Sequence, residues 1–396
     1  MIFPRKRKLY AVIVADIFLL AVCIVAFFYL KNSFLKSKPP LPGRSLNEEE
    51  ILSTMRTCVE SQDRYGCYQR LAQDAVQRNQ IKYVLKVFDD NDSKPYVFSF
   101  CHSTTHFIGR EAYSKYKSVS KAFEQGSFSC HGGYYHGVLE GYLKNYLDSE
   151  QKSEDYLKQK IFEACGRQSD YSTPLLYSEC LHGIGHGVMF VTDGELPESL
   201  QLCDSLNDTL ANTCYGGVFM ENSTSNTTHY LSKYLKTDDP MYPCDILGDR
   251  YLDQCYRYQS AYFGMLTKKD LPKMINLCYQ VPVKYHYQCF LNIGTGEVGY
   301  VRDPKDMKAA CDLISDKQNK DYCVEGVITE LSARYVNEPS YMIDFCKVVD
   351  LDNKKTCYSQ IGIHIRGWTI DKNKLSAICH QIADKQGEGF CVENAI

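Results

Sequence analysis

Residues 278–294 read CYQVPVKYHYQCFLNIG, and residues 244–260 and 346–362 repeat this layout as CDILGDRYLDQCYRYQS and CKVVDLDNKKTCYSQIG. In each stretch two cysteines flank a polar middle that has the composition of a turn. The segments on either side are long enough to be helices. We therefore interpret each unit as a helix, a tight turn and a second helix.

The second cysteine of these units recurs at a fixed interval. A step of 34 residues separates neighbours within three runs: Cys67 and Cys101; Cys180 and Cys214; Cys255, Cys289, Cys323, Cys357 and Cys391. Self-similarity at a fixed period of this size is typical of stacked supersecondary units. The sequence therefore predicts an all-α fold, a right-handed α-solenoid of disulfide-stapled helical hairpins, preceded by one transmembrane helix.

The remaining cysteines complete pairs. The chain has 19 cysteines, of which all but Cys23 lie beyond residue 50. A first cysteine precedes most of the second ones by 9 to 15 residues, whereas zinc sites prefer cysteines separated by about two to four residues. We therefore expect disulfides and an oxidising compartment. The expected pairs are Cys58–Cys67, Cys165–Cys180, Cys203–Cys214, Cys244–Cys255, Cys278–Cys289, Cys311–Cys323, Cys346–Cys357 and Cys379–Cys391, with Cys101–Cys130 formed by the two cysteines that lack upstream partners.

The period and the hairpin layout resemble the tetratricopeptide-like class of helical-hairpin repeats. Sel1-like repeats, which are similar in hairpin design and usually longer, are the second choice. The resemblance implies two helices that touch where small residues occur about twelve positions apart, a contact close enough for a disulfide. The chain departs from the usual Trp, Leu-Gly and Pro signature of the class.

The N-terminal region contains one long apolar stretch. Residues 9–30, LYAVIVADIFLLAVCIVAFFYL, carry a single charge, Asp16, and at about 1.5 Å per residue they span a hydrocarbon core of roughly 30 Å. Four basic residues at 5–8 precede it, so the positive-inside rule predicts a single-pass signal-anchor with a cytoplasmic N-terminus. The bulk of the chain would then be periplasmic, extracellular or lumenal. A cleaved signal peptide is the alternative.

These features divide the chain into five segments. They are a basic cytoplasmic tail at 1–8, a transmembrane helix at 9–30, a juxtamembrane linker at 31–50, N-terminal repeats with a histidine-rich site at 51–235, and C-terminal Cys-paired repeats at 236–396. The net charge of −3, without a basic stripe interleaved with aromatic residues, predicts no nucleic-acid partner.

Six of the ten histidines fall in three windows: CHSTTHFIGRE from Cys101, CHGGYYHGVLE from Cys130 and CLHGIGHGVMF from Cys180. Later repeats lack histidine at the equivalent places. His102 and His106 are four residues apart, as are His182 and His186, the spacing at which two imidazoles on one helix face can bind one ion. The candidate metal ligands are His102, His106, His131, His136, His182, His186, Glu111 and Glu140.

Imidazole and carboxylate donors suit Zn, Fe, Cu or Mn, with a dinuclear site as one arrangement. A bis-histidine haem is an alternative, although no C-x-x-C-H sequence is present for covalent attachment. The structural alternative is that the histidines donate hydrogen bonds to nearby carbonyls and that the neighbouring glycines let helices approach closely.

Two functional hypotheses from different classes follow. The first is a membrane-anchored extracytoplasmic helical-repeat protein with a metal site; the residues leave open whether it is a metal-dependent hydrolase or oxidoreductase or only binds metal, and they assign no catalytic residue. The second is a non-enzymatic solenoid scaffold that binds a peptide or protein partner in its groove. The sequence lacks G-x-S-x-G, Walker, Rossmann and H-E-x-x-H motifs.

Overall fold

The computed structural model describes residues 45–148, 150, 153–228 and 232–396, without the side chains of residues 208, 209 and 225–228. This part of the chain contains twenty α-helices, four short 3₁₀ segments and no strand, so the all-α prediction is confirmed. The helices are α1 (Glu48–Glu60), α2 (Arg64–Gln77), α3 (Ile81–Asp90), α4 (Pro95–Phe98), α5 (Cys101–Tyr116), α6 (Val119–Phe123), α7 (Gly133–Leu147), α8 (Glu154–Glu163), α9 (Pro174–Val191), α10 (Leu196–Cys203), α11 (Asp208–Thr228), α12 (Asp249–Thr267), α13 (Leu271–Cys278), α14 (His286–Gly296), α15 (Pro304–Cys311), α16 (Lys317–Arg334), α17 (Ser340–Val348), α18 (Leu351–Ile365), α19 (Lys372–Cys379) and α20 (Lys385–Ala395).

The hairpin formed by α13 and α14 illustrates the repeating unit. Asp270 caps α13 by accepting a hydrogen bond from the backbone amide of Lys273 at 3.2 Å, which satisfies one of the free donors of the first turn. Cys278 is the last residue of this short helix and bonds to Cys289 in the first turn of α14. Their Cα atoms are 5.7 Å apart, a separation that a disulfide spans without distortion of the backbone.

Nine disulfides join all the cysteines in the described part of the chain, and each pairing expected from the sequence is present. Most close a single hairpin, whereas Cys101–Cys130 joins the start of α5 to the turn before α7. By restricting the unfolded chain, each contributes about 3 kcal/mol in the chain-entropy description.

The long helices pack in the order in which they occur in the sequence. Each contacts the next in the series α2, α5, α7, α9, α11, α12, α14, α16, α18 and α20. This order agrees with stacked hairpins, while the right-handed solenoid stays a prediction.

Glycines allow pairs of these long helices to approach until their backbones touch. A Cβ atom added to Gly326 of α16 would lie closer than 3.0 Å to the carbonyl oxygen of Leu291 in α14, where it cannot fit. Gly137 of α7 meets the His106 carbonyl of α5 in the same way, and Gly217 of α11 meets the His182 carbonyl of α9. The structural alternative for the glycines is therefore confirmed, and two of these contacts involve the backbone of the candidate ligands.

Two arginines connect parts of the chain that are far apart in sequence. Arg302, after α14, donates to the backbone oxygen of Asp89, 213 residues away, at 2.9 Å and to Asp92 Oδ1 at 2.6 Å. Arg334, at the end of α16, donates to Asp92 Oδ2 at 3.2 Å. Residues Leu46–Ile396 thus form one compact unit.

The structure corrects the predicted localisation. Among the described residues, no helix combines the length and the apolar character needed to cross a membrane; even the long α12 carries Asp249, Arg250, Asp253 and Arg257. The predicted span at 9–30 lies outside the described residues. The absence of a membrane-spanning helix among the described residues contradicts the expected single-pass membrane localisation. The disulfides themselves indicate an oxidising, extracytoplasmic compartment.

We expect Gly326→Ala to destabilise the fold. Because its new methyl group would press on the backbone of α14, the free energy of unfolding should fall by about 2 kcal/mol or more. Gly389→Ala is the matched control, since Gly389 is also helical but has open space around its Cα atom, and this change should stabilise by about 0.5–1 kcal/mol. Denaturant unfolding under oxidising conditions measures both; equal midpoints for Gly326→Ala and wild type would contradict the packing described.

Candidate metal centre

Five histidines from three long helices converge in the interior. His102 and His106 lie on α5, His136 on α7, and His182 and His186 on α9. They form two groups of three, His102–His106–His136 and His136–His182–His186, and within each group the donor atoms lie within 4.8 Å of one another. The three sequence windows therefore do meet in space, and His136 belongs to both groups.

In the pair on α5, the Nδ1 atoms of both histidines already have hydrogen-bond partners. His102 Nδ1 is 2.8 Å from the carbonyl oxygen of Cys130, and His106 Nδ1 is 2.7 Å from Glu140 Oε1. A carbonyl and a carboxylate only accept, so both Nδ1 atoms donate and, in neutral rings, both Nε2 atoms carry lone pairs. These Nε2 atoms face each other at 3.1 Å. Two lone pairs at this distance repel, and a proton or a metal ion between them would relieve the repulsion.

The pair on α9 repeats the facing Nε2 atoms and has one carboxylate-bound Nδ1 atom, that of His186. His186 Nδ1 is 2.9 Å from Glu221 Oε2, and His186 Nε2 is 3.3 Å from His182 Nε2. The His186 side chain has no exposed surface. Burial, reinforced by the neighbouring histidines, lowers the pKa of His186 well below its ordinary value, and burial together with Arg257 lowers that of His182 to about 3. At neutral pH these imidazoles are therefore available to a metal.

His136 lies between the two pairs. Its ring stacks on that of His186 with centroids 3.6 Å apart and planes 10° from parallel. Its Nε2 atom is 3.4 Å from Glu179 Oε1, and its Nδ1 atom is buried with no hydrogen-bond partner among the described residues. A buried nitrogen without a partner is costly, and a metal ion would satisfy it.

The carboxylates around the histidines are in opposite electrostatic states. Burial alone would raise the pKa of Glu140, but His106 and Arg110 outweigh it and lower this pKa to about 2. Glu140 is thus a permanent anion that orients His106, with Arg110 bound to its other oxygen. Burial, together with the charge of Glu330, raises the pKa of Glu179 to about 8. Glu179 is therefore a neutral acid in the metal-free interior at pH 7.

A turn in the left-handed conformation places the carbonyl oxygen of Cys130 within hydrogen-bond distance of His102. Cys130, His131 and Gly132 have φ values of 56°, 57° and 69°, a conformation that costs about 1–2 kcal/mol for each residue that is not glycine. The disulfide to Cys101 ties this turn to the start of α5. Backbone strain of this kind concentrates at functional sites.

Two predicted ligands lie elsewhere. Glu111 accepts a hydrogen bond from Gln73 of α2 at 3.4 Å and belongs to neither histidine group. His131 packs on Tyr300 with ring centroids 3.9 Å apart, 6.2 Å from the His102 ring. Glu140 is present at the site, but it bonds to the Nδ1 atom of His106, which is not the nitrogen that faces His102.

A cavity adjoins this edge of the site. Its volume is about 230 Å³, and it is lined by Phe98, His131, Lys269, Gly296, Glu297, Tyr300 and Val301. Its wall includes the His131 ring, whose centroid lies 6.2 Å from that of His102.

Sequence reasoning missed Glu179, Glu221 and Arg110. Glu179 directly precedes Cys180, and Glu221 lies in CYGGVFMEN, a repeat that contains no histidine. Arg110 is four residues after His106, on the same helix face, and this spacing was the signal that could have identified it. Glu221 had no comparable local signal because its partner is on another helix.

Comparison of the chain with protein-family models, curated proteins and solved structures finds no match. The function must therefore be inferred from the residues of the site.

We expect Glu179→Gln to change how stability depends on pH in the metal-free chain. Because the pKa of Glu179 rises from 4.5 to about 8 on folding, the folded chain binds more protons than the unfolded chain between these values. Wild-type stability should fall as pH rises through this window, by about 1.4 kcal/mol per pH unit from this group.

The glutamine variant cannot ionise at this position, so its stability relative to wild type should increase from pH 5 to pH 8. Denaturant unfolding of chelator-treated protein at several pH values measures the difference. Parallel pH profiles for the two proteins would show that Glu179 does not titrate in this way.

Proposed function

We propose that this protein binds transition-metal ions with its interior histidines in an oxidising, extracytoplasmic compartment. One observation carries the proposal: the Nε2 atoms of His102 and His106 face each other at 3.1 Å while both Nδ1 atoms are used as donors. Donor atoms about 2.0–2.1 Å from a tetrahedral zinc ion are about 3.3 Å apart. The spacing of the two nitrogens therefore suits a shared ion.

The surroundings support the same conclusion. A carboxylate on the far nitrogen of a ligating histidine fixes its tautomer and increases its basicity, which is the usual arrangement behind metal ligands. Glu140 stands in this relation to His106, and Glu221 to His186. Because every cysteine in the described part is in a disulfide, the available donors are nitrogen and oxygen, which suit Zn, Cu, Fe or Mn.

The geometry disfavours a bis-histidine haem. Two axial nitrogens on opposite sides of an iron ion would be about 4 Å apart, with the macrocycle between them. The Nε2 atoms of the two pairs are 3.1 Å and 3.3 Å apart. A bare ion fits this spacing better.

The site also contains parts that a metal-dependent enzyme needs. Glu179 lies 3.4 Å from His136 Nε2, where it is placed to act as an acid or base, and a cavity lined by His131 lies beside the histidines. A metal-dependent hydrolase or oxidoreductase is the enzyme class that this arrangement supports.

We propose that the hairpins wind as a right-handed, tetratricopeptide-like α-solenoid, with the histidines on its inner helices. The sequential packing of the long helices supports the stacking of hairpins on which this proposal is based. In the alternative function, a scaffold that binds a peptide or protein in its groove, the histidines would have no metal and could be replaced without loss of binding.

We expect His136→Ala to lower the metal content of the purified chain. His136 belongs to both histidine groups, so its loss removes a ligand from each. After chelator treatment, reloading with Zn²⁺ or Cu²⁺ and removal of free metal, elemental analysis should find stoichiometric metal in wild type and at least tenfold weaker binding in the variant.

His380→Ala is the control, because His380 is exposed and bonds to Glu388 outside both groups. Its metal content should equal that of wild type, and circular dichroism should confirm that both variants are folded. Wild-type protein that retains less than a tenth of an equivalent of every metal tested would contradict the proposal.

A further inference from the structure

Beyond the binding of metal as such, the arrangement of the donors bears on the number of ions. The four donors outside His136 form two close pairs, with Nε2 atoms 3.1 Å apart on α5 and 3.3 Å apart on α9. The two pairs do not join in one group of mutually close donors; each forms a group only with His136. The division into pairs follows the two helices.

One ion cannot bind all five histidines in this geometry. Two donors about 2.1 Å from the same ion are at most about 4.2 Å apart, which is the trans arrangement. In the described structure His102 and His106 share no 4.8 Å group with His182 and His186. Each close pair, in contrast, has the spacing of two neighbouring ligands of one ion.

Each pair also has its own orienting carboxylate. Glu140 of α7 holds His106 of α5, and Glu221 of α11 holds His186 of α9. Neither carboxylate is shared. The two pairs are therefore separately positioned, and each presents nitrogens that do not depend on the other pair.

His136 connects the two pairs. Its ring centroid is 5.5 Å from that of His102 and 5.7 Å from that of His182, so it stands between them. Glu179 Oε1 approaches its Nε2 atom at 3.4 Å. A carboxylate at this point supplies negative charge where two dications would otherwise repel.

We infer that the site is dinuclear: one metal ion lies at His102 and His106, a second lies at His182 and His186, and His136 lies between them as a shared ligand residue. The inference rests on the proposed metal-binding function. A neutral imidazole has one lone pair, so His136 can bind both ions only through its two ring nitrogens, after its N–H proton has been released to solvent.

Copper loading tests the number of ions without an activity assay. Cu²⁺ binds most tightly among the divalent candidates, and two Cu²⁺ ions bound to the two nitrogens of one imidazole ring couple magnetically. Wild-type chain, stripped with chelator and reloaded, should contain two copper ions per chain. Its electron paramagnetic resonance signal should account for far fewer spins than copper atoms.

His102→Ala and His182→Ala should each retain one ion, and their spin count should then equal their copper content. His380→Ala, the exposed control, should keep two coupled ions. If a variant does not fold by circular dichroism, the wild-type copper content and spin count still decide the question.

One uncoupled ion in wild type overturns the dinuclear inference and leaves metal binding intact. The loss of all copper from a folded His102→Ala or His182→Ala variant also overturns it, because that result requires a single site. Wild type without bound copper instead contradicts the proposed metal-binding function.

Discussion

The contact on which the site depends is the one between the backbones of paired helices. At Gly137 and Gly217 any side chain would strike the carbonyl oxygen of His106 or His182. Because the helices touch there, a carboxylate about one turn further along the second helix reaches a histidine of the first. Glu140 follows Gly137 by three residues, and Glu221 follows Gly217 by four. A larger residue at either glycine would push the two helices apart and so break the hydrogen bond between the glutamate and the histidine.

These hydrogen bonds decide the chemistry of the imidazoles. With Nδ1 atoms donating to Glu140, Glu221 and the Cys130 carbonyl, the lone pairs of Nε2 atoms point into the interior. Burial lowers the pKa of His102 to about 3 and that of His186 well below its ordinary value, so these two rings are neutral at pH 7. The same desolvation makes facing lone pairs unfavourable until a cation fills the space. The fold thus produces nitrogen donors that are concentrated, neutral and short of partners.

The sequence predicted the fold well because its signals are local and periodic. The 34-residue step predicted the hairpins, and the cysteine spacing predicted eight disulfides and left Cys101 and Cys130 to form the ninth. The His-x-x-x-His spacing placed both pairs, since a helix face is determined by the helical period alone. Glu111 was also expected at the site, yet it accepts a hydrogen bond from Gln73 on α2. Glu179 and Glu221, which sequence reasoning missed, each contact a histidine of another helix. The offset between two packed helices cannot be predicted from the sequence of either helix alone.

The apolar stretch at 9–30 gave rise to a localisation that the described helices contradict. The compartment inferred from the disulfides is independent of that stretch, because oxidised cysteines require an oxidising environment wherever the N-terminus lies. The proposed metal binding therefore depends only on the interior of the helical unit.

The proposed metal binding is tested most directly by anomalous X-ray diffraction. Crystals of the metal-loaded protein are measured at the absorption edge of the bound metal. We predict a peak about 2.0–2.1 Å from the Nε2 atoms of both His102 and His106. An interior without an anomalous peak, in which these two nitrogens stay 3.1 Å apart and share a proton, would contradict it.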